Sequence, residues 1–270
     1  MEFTDEPCDI SYFKQNDLLK YFSKNELENI ENKYIYIDPF FGVKDGNKIP
    51  YPIDVQDLTN LHKNILERKV FTVLEFGVGY STIIMADALL KHKKLYNNIE
   101  KKPHIRCSNM FEIHCVDSNE YWIKELKKKI ENFPSIAGMI NIIYSPVSIG
   151  KYNDRICHYY NKLPNIVPHL IYLDAPGSHD VGGEIKNINF NKNCDRTVMS
   201  GDLLFLEPTF LPGMKIIVDG RTNNAQFLKN NFQRNYIENC KDDITTFELL
   251  EKPLGEYNKN MLDYCCIAYK

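Results

Sequence analysis

Val73-Leu74-Glu75-Phe76-Gly77-Val78-Gly79-Tyr80-Ser81-Thr82 concentrates the residues best able to do chemistry: an apolar run ends in an acid, two closely spaced glycines and small hydroxylated residues. Gly77 and Gly79 can supply the positive φ of an abrupt strand-to-helix turn and leave bare backbone for a ligand to approach. Residues 69–74 form a β-branched-rich run of strand length, and residues 82–90 carry apolar side chains at helical spacing. Strand, glycine turn and helix in that order read as a nucleotide-type cofactor loop.

Charge separates the cofactor classes. In a dinucleotide loop a third glycine lets the helix pack on the strand, whereas here that position is Thr82. Glu75 places a carboxylate at the strand end, where a pyrophosphate would be repelled and a cation attracted. Glu75-x-Gly77-x-Gly79-x-Ser81 resembles the first motif of class I S-adenosylmethionine-dependent methyltransferases. The resemblance implies S-adenosyl-L-methionine as cofactor, with Glu75, Gly77, Gly79, Tyr80 and Ser81 around its methionine moiety and ribose. Its sulfonium and ammonium groups agree with an acidic loop free of phosphate-binding lysines.

The flanking elements repeat the pattern. Residues 111–117 read as a strand ending in Asp117, the position that accepts ribose hydroxyls in doubly wound folds. It lies 40 positions beyond Gly77 rather than roughly 20, which requires residues 91–110 to loop out as a polar insertion. Asp117 or Ser118 also suits the cap of a helix over 121–130. Strands follow at 139–144, at 170–174 ending in Asp174, and at 215–220 ending in Asp219, then a helix over 223–232. Glu75, Asp117, Asp174 and Asp219 are thereby expected along the sheet edge where open α/β folds bind ligands.

Residues 245–250 and 263–269 read as two strands of an antiparallel hairpin. The expected fold class is α/β, a doubly wound, mostly parallel sheet with a C-terminal antiparallel hairpin in an α/β/α sandwich. It resembles the seven-stranded, Rossmann-like methyltransferase fold over residues 54–270. Residues 1–53 are expected to be an N-terminal extension on that domain, with a helix near 17–32 and a turn at Pro39-Phe40-Phe41-Gly42. An amphipathic helix over 54–68 is expected to pack on the sheet.

Methyl transfer from a sulfonium is an in-line displacement, so protein groups position the acceptor and take the proton of a hydroxyl. Asp174 and His179, in Leu173-Asp174-Ala175-Pro176-Gly177-Ser178-His179-Asp180, are the candidates for that chemistry; the alternative for His179 is a solvent-exposed loop histidine. Asp219 and Arg221 are candidates for substrate or metal. A subset of small-molecule O-methyltransferases, which the chain resembles in part, holds magnesium on acids after strands four and five. Here Gly220-Arg221-Thr222-Asn223-Asn224 leaves only Asn223 to complete an oxygen set, and Arg221 suits an acidic substrate or a pairing with Asp219. Magnesium is therefore not favoured. Phe190, Met199, Phe205, Phe210 and Leu211 lie in a segment, 183–213, that suits a substrate wall or lid and core packing equally.

Composition narrows the partners. With 270 residues, 43% hydrophobic, the chain can bury one substantial core. A formal net charge of -3 gives no basic field for nucleic acid, and Asp174-Ala175-Pro176-Gly177 lacks the Asn/Asp-Pro-Pro-aromatic loop of adenine methylation. The acidic N-terminus lacks signal-peptide character and no apolar run reaches membrane-spanning length, so cytoplasmic location is expected. Eight cysteines without C-x-x-C spacing read as free thiols. These features favour a methyltransferase acting at oxygen on a small-molecule or saccharide acceptor, and a homo-oligomer is compatible with them. The alternatives are an NAD-dependent oxidoreductase and a noncatalytic nucleoside-cofactor-binding protein of the same fold.

Overall fold

Residues 10–31, 53–190 and 196–269 are described in the structure, a computed structural model. They fall into two units, Met1–Asn64 and Ile65–Lys270.

In the first unit, α1 (Ser11–Gln15) is followed by a 3-10 turn (Leu19–Tyr21), α2 (Lys24–Glu31) and most of α3 (Val55–Glu67). The single helix expected near 17–32 is broken, because Asp17 turns into the left-handed region at φ 55. A new start then forms where the Ser23 N–H donates to the Glu26 carboxylate at 2.6 Å and the Glu26 N–H to Ser23 Oγ at 3.4 Å, a reciprocal capping box. Asp54 caps α3, accepting from the N–H groups of Gln56 at 2.8 Å and Asp57 at 3.0 Å. Phe13 and Phe22 stack at 5.7 Å. The turn expected at Pro39-Phe40-Phe41-Gly42 lies outside the described residues.

The second unit begins with β1 (Thr72–Phe76), α4 (Tyr80–Asn97), β2 (Glu112–Asp117), α5 (Glu120–Ile130), α6 (Pro134–Ala137) and β3 (Ile140–Tyr144). It continues through β4 (Val147–Tyr152), β5 (Arg155–Tyr160), β6 (Leu170–Leu173), β7 (Val181–Gly182) and α7 (Asp202–Leu206). The chain closes with β8 (Lys215–Val218), α8 (Thr222–Asn231), β9 (Tyr236–Lys241), β10 (Ile244–Leu249) and α9 (Gly255–Cys265). Seven strands form one sheet in the order β3-β2-β1-β6-β8-β10-β9, with β10 antiparallel to both neighbours and the remaining pairs parallel. This is a doubly wound, Rossmann-like sheet with one antiparallel strand inserted near its edge, the fold class expected from the sequence. The strand order reverses between β1 and β6, which places the topological switch point at their carboxyl ends.

Three expectations are corrected. The C-terminal hairpin is β9 with β10, and residues 263–269 do not form a strand: α9 occupies Gly255–Cys265 and ends at Cys266 with φ 56. Met261, Leu262 and Cys265 are its buried face, and the Asn258 side chain accepts from the Leu254 N–H at 3.0 Å. Gly213 makes room, since a Cβ there would overlap Leu262 Cδ2. The predicted insertion 91–110 begins as the last turns of α4, which bury His92 and Tyr96 against Phe71.

The third correction concerns the layers. Residues 147–160, to which the sequence patterns assign no element, form a hairpin, and β5-β4-β7 make a second, three-stranded sheet. Its turn is Asn153-Asp154, both at positive φ (47 and 62), the two-residue geometry that matches strand twist. Val147, Cys157, Tyr160 and Val181 from this small sheet share one apolar core with Leu74, Phe76, Val116 and Leu173 of the large sheet and with Leu203 and Leu228 of α7 and α8. One layer of the expected sandwich is thus part strand. Phe190 and Phe210 are buried in the same core, whereas Phe205 is 70% exposed.

Candidate functional site

Backbone bonding brings the strand ends into line. The Gly77 N–H donates to Val116 O at 2.9 Å, Asp174 N–H to Phe76 O at 3.1 Å and Asp219 N–H to Leu173 O at 3.2 Å. The sheet therefore gathers Glu75, Asp117, Asp174 and Asp219 on neighbouring strands at one edge, as their spacing predicted.

Gly77 has φ 114 and Gly79 φ 173, so only Gly77 needs the freedom of glycine; Gly79 is extended backbone, a correction to the expected pair. A Cβ on Gly77 would lie 3.3 Å from Ala175 Cβ, across the switch point. Glu75 is buried in β1, and its carboxylate accepts from Ser81 Oγ at 2.5 Å, Thr82 Oγ1 at 2.6 Å and Cys115 Sγ at 3.2 Å. The Thr82 hydroxyl in turn accepts the Gly79 N–H at 3.1 Å. Thr82 at the third glycine position thus ties the turn to the strand, and Glu75 reaches toward the loop through these hydroxyls. Burial pushes the Glu75 carboxyl up to about 7; the hydrogen bonds from Ser81, Thr82 and Cys115 oppose the rise and Asp174 adds to it. Tyr80 follows the turn, with Lys129 Nζ donating to its hydroxyl at 3.2 Å.

Asp117 is nearly buried, and its Oδ1 accepts from the Asn119 N–H at 2.7 Å. Loss of hydration raises it to about 6, opposed by the N–H groups of Asn119, Val78 and Ser118 and reinforced by Asp180. The cap of α5 is Asn119, whose side chain accepts from the Tyr121 N–H at 3.1 Å; neither Asp117 nor Ser118 takes that role.

Arg221 faces Asp174, with Nη2 3.6 Å from Oδ1 and further bonds to the carbonyls of Asp174 and Pro176. The expected pairing with Asp219 is replaced by this one, and Asp219 accepts instead from the Tyr172 hydroxyl. The Asp174 side chain is 54% exposed, so water softens the push on its carboxyl, which crowding by protein raises to about 6, Arg221 lowers and Asp219 raises. His179 sits in a 3-10 turn, 58% exposed, with Nε2 3.5 Å from the Asp180 carboxylate. Asn223 is exposed, and among the described residues no three His, Cys, Asp or Glu side chains are grouped to hold a metal ion.

Several residues at this edge escaped sequence reasoning. Tyr160 and His158 come from β5, and both are buried. Asp202 accepts the Tyr160 N–H at 3.1 Å and fixes that strand end. The detectable signal was Asn153-Asp154 between two short alternating runs, a hairpin mark. Six cysteines, Cys107, Cys115, Cys157, Cys240, Cys265 and Cys266, are free thiols; Cys8 and Cys194 lie outside the described residues.

No family model and no curated protein matches the chain. Solved structures similar to it include an S-adenosylhomocysteine-bound methyltransferase, PaMTH1, of Podospora anserina, with 11% identity, 92% of this chain and 97% of that one covered, and a TM-score of 0.48. The O-methyltransferase TomG of Streptomyces achromogenes, in complex with S-adenosylmethionine, shows 11% identity over 73% of this chain and 81% of its own, with a TM-score of 0.42. An O-methyltransferase from Bacillus cereus in complex with S-adenosylhomocysteine has 11% identity, 88% and 98% coverage and a TM-score of 0.41. Among the described residues, no helix is long and apolar enough to cross a membrane.

Proposed function

We propose that the chain is an S-adenosylmethionine-dependent methyltransferase that methylates an oxygen of a small-molecule or saccharide acceptor. One observation carries this reading: carboxylates on four neighbouring strand ends surround a glycine turn, residues 73–82, that contains neither Lys nor Arg. Such a field suits a sulfonium and an ammonium and opposes a pyrophosphate. At Gly77 an added Cβ would press on Ala175, so glycine lets the turn and the segment after β6 approach closely at the switch point.

When bound, the cofactor supplies an activated methyl group. Gly77, Gly79, Tyr80 and Ser81 would line its methionine moiety, Glu75 would hold that loop in place through Ser81 and Thr82, and Asp117 would accept the ribose hydroxyls. Asp174 and His179 would orient the acceptor hydroxyl and take its proton. Arg221 holds Asp174 in position. Asp219, bonded to Tyr172, supports the neighbouring strand end and faces the substrate side with Arg221.

Transfer of label from methyl-labelled S-adenosylmethionine, scored across hydroxylated small molecules and saccharides, tests the reading. Labelled product that falls in Asp174→Ala and His179→Ala supports it. Cofactor binding without product across the whole panel assigns the chain to noncatalytic binding instead.

A further inference from the structure

Of the eight buried side-chain nitrogen and oxygen atoms without a hydrogen-bond partner among the described residues, six belong to one group: His158 Nδ1 and Nε2, Tyr160 Oη, Ser200 Oγ, Arg221 Nε and Asn224 Nδ2. Buried polar atoms are normally paired, because their lost hydration is otherwise uncompensated. Here the orphans are contiguous. His158 and Tyr160 alternate on the same face of β5, with rings 6.3 Å apart. Ser200 bridges to His158 through the backbone, and its N–H donates to Asn224 Oδ1 at 2.9 Å. Asn224 lies in the first turn of α8, just after Arg221. The Tyr160 ring packs against Phe76, the last residue of β1, with centroids 5.5 Å apart, which sets it beside the strand edge.

We propose that His158, Tyr160, Ser200, Arg221 and Asn224 form the acceptor subsite, and that it takes an uncharged, polyhydroxylated group; this rests on the methyltransferase reading above. The chemistry of the set selects the ligand. Of the five N–H groups of Arg221, three face the Asp174 carboxylate and the carbonyls of Asp174 and Pro176, leaving Nε–H and one Nη1–H, and the Asn224 amide adds two further donors. The hydroxyls of Tyr160 and Ser200 donate or accept by rotation, and burial keeps His158 neutral, with one donor and one acceptor. An anionic acceptor would face Asp174 and Asp180, and a cationic one a donor-rich wall beside Arg221. Sugar-like hydroxyls both accept and donate, so they can pair every member, and a site built for such pairing discriminates strongly against groups that leave it unpaired.

The test is saturation-transfer NMR on protein saturated with S-adenosylhomocysteine, using glucose, methyl glucoside and myo-inositol as neutral probes, glucosamine as cation and glucuronate as anion. The expected result is transfer to at least one neutral probe, little to the charged ones, and at least a fivefold loss in Ser200→Ala and Tyr160→Phe. Both variants should melt at or above the wild type, since each removes an orphaned buried hydroxyl. Equal transfer to charged probes, no transfer to any neutral probe, or unchanged transfer in the variants overturns the subsite. So does a lower melting temperature in both, which assigns the group to internal water. Failure of the wild type to bind S-adenosylhomocysteine would instead remove the methyltransferase reading beneath it.

Discussion

Glu75→Gln isolates the electrostatic cost of the acid in the glycine turn. The wild-type carboxyl, fully enclosed in β1, rises from the ordinary 4.5 to about 7. At 1.36 kcal/mol per pH unit this amounts to about 3 kcal/mol. A folded-state value above the unfolded one means the folded protein prefers the protonated acid. The corresponding stability is present below about pH 4.5 and is lost as pH rises through about 7. Glutamine has nearly the same shape, can still accept from Ser81 or Thr82, and cannot ionise. The stability of the wild type relative to Glu75→Gln should therefore fall by about 3 kcal/mol between pH 4.5 and 8. Asp117 and Asp202, raised to about 6 and 8, slope the same way, but in both proteins, and they cancel in the difference. Urea unfolding followed by the fluorescence of the lone Trp122 at several pH values measures it. Parallel curves for the two proteins would refute the account of a costly buried carboxylate.

Gly77→Ala forces a side chain into a backbone at φ 114 and against Ala175, so it should cost roughly 1–3 kcal/mol. An unchanged melting temperature would contradict that need for glycine. Arg221→Met removes the cation that holds the Asp174 carboxyl down, so Asp174 should titrate at higher pH. Carbon-13 NMR of the aspartates reads the shift, and the acid limb of a methyl-transfer pH profile should move the same way. Asp154→Val places a branched residue at φ 62 in the β4-β5 turn and should cost roughly 1–2 kcal/mol in thermal unfolding, whereas Asp154→Gly should cost nothing.

The acid-tipped strands were legible because burial of parallel strands on both faces leaves short apolar runs with sharp polar ends, as at Leu173-Asp174 and Val218-Asp219. The glycine turn was legible for the same reason. Strand β9 was not, since five of its six residues are exposed and its polar sequence carries no alternation. In α9 the run Tyr264 to Tyr269 imitates a strand, yet the helix is decided by Met261, Leu262 and Cys265 packing at helical spacing. The site was legible in its acids and obscure in its pairings. Arg221 and Asp174 are 47 positions apart, and no local pattern states which carboxylate a guanidinium will choose. The orphaned group from β5 and α8 was hidden for a similar reason, as its members meet only through the second sheet.

The central claim is that the acidic edge holds a sulfonium cofactor, and calorimetric titration with S-adenosylmethionine, S-adenosylhomocysteine and NAD tests it most directly. Binding of the first two, no binding of NAD, and at least tenfold weaker binding in Asp117→Ala, about 1.4 kcal/mol, are the predicted results. Preference for NAD, or full affinity for S-adenosylmethionine in Asp117→Ala, would contradict the claim.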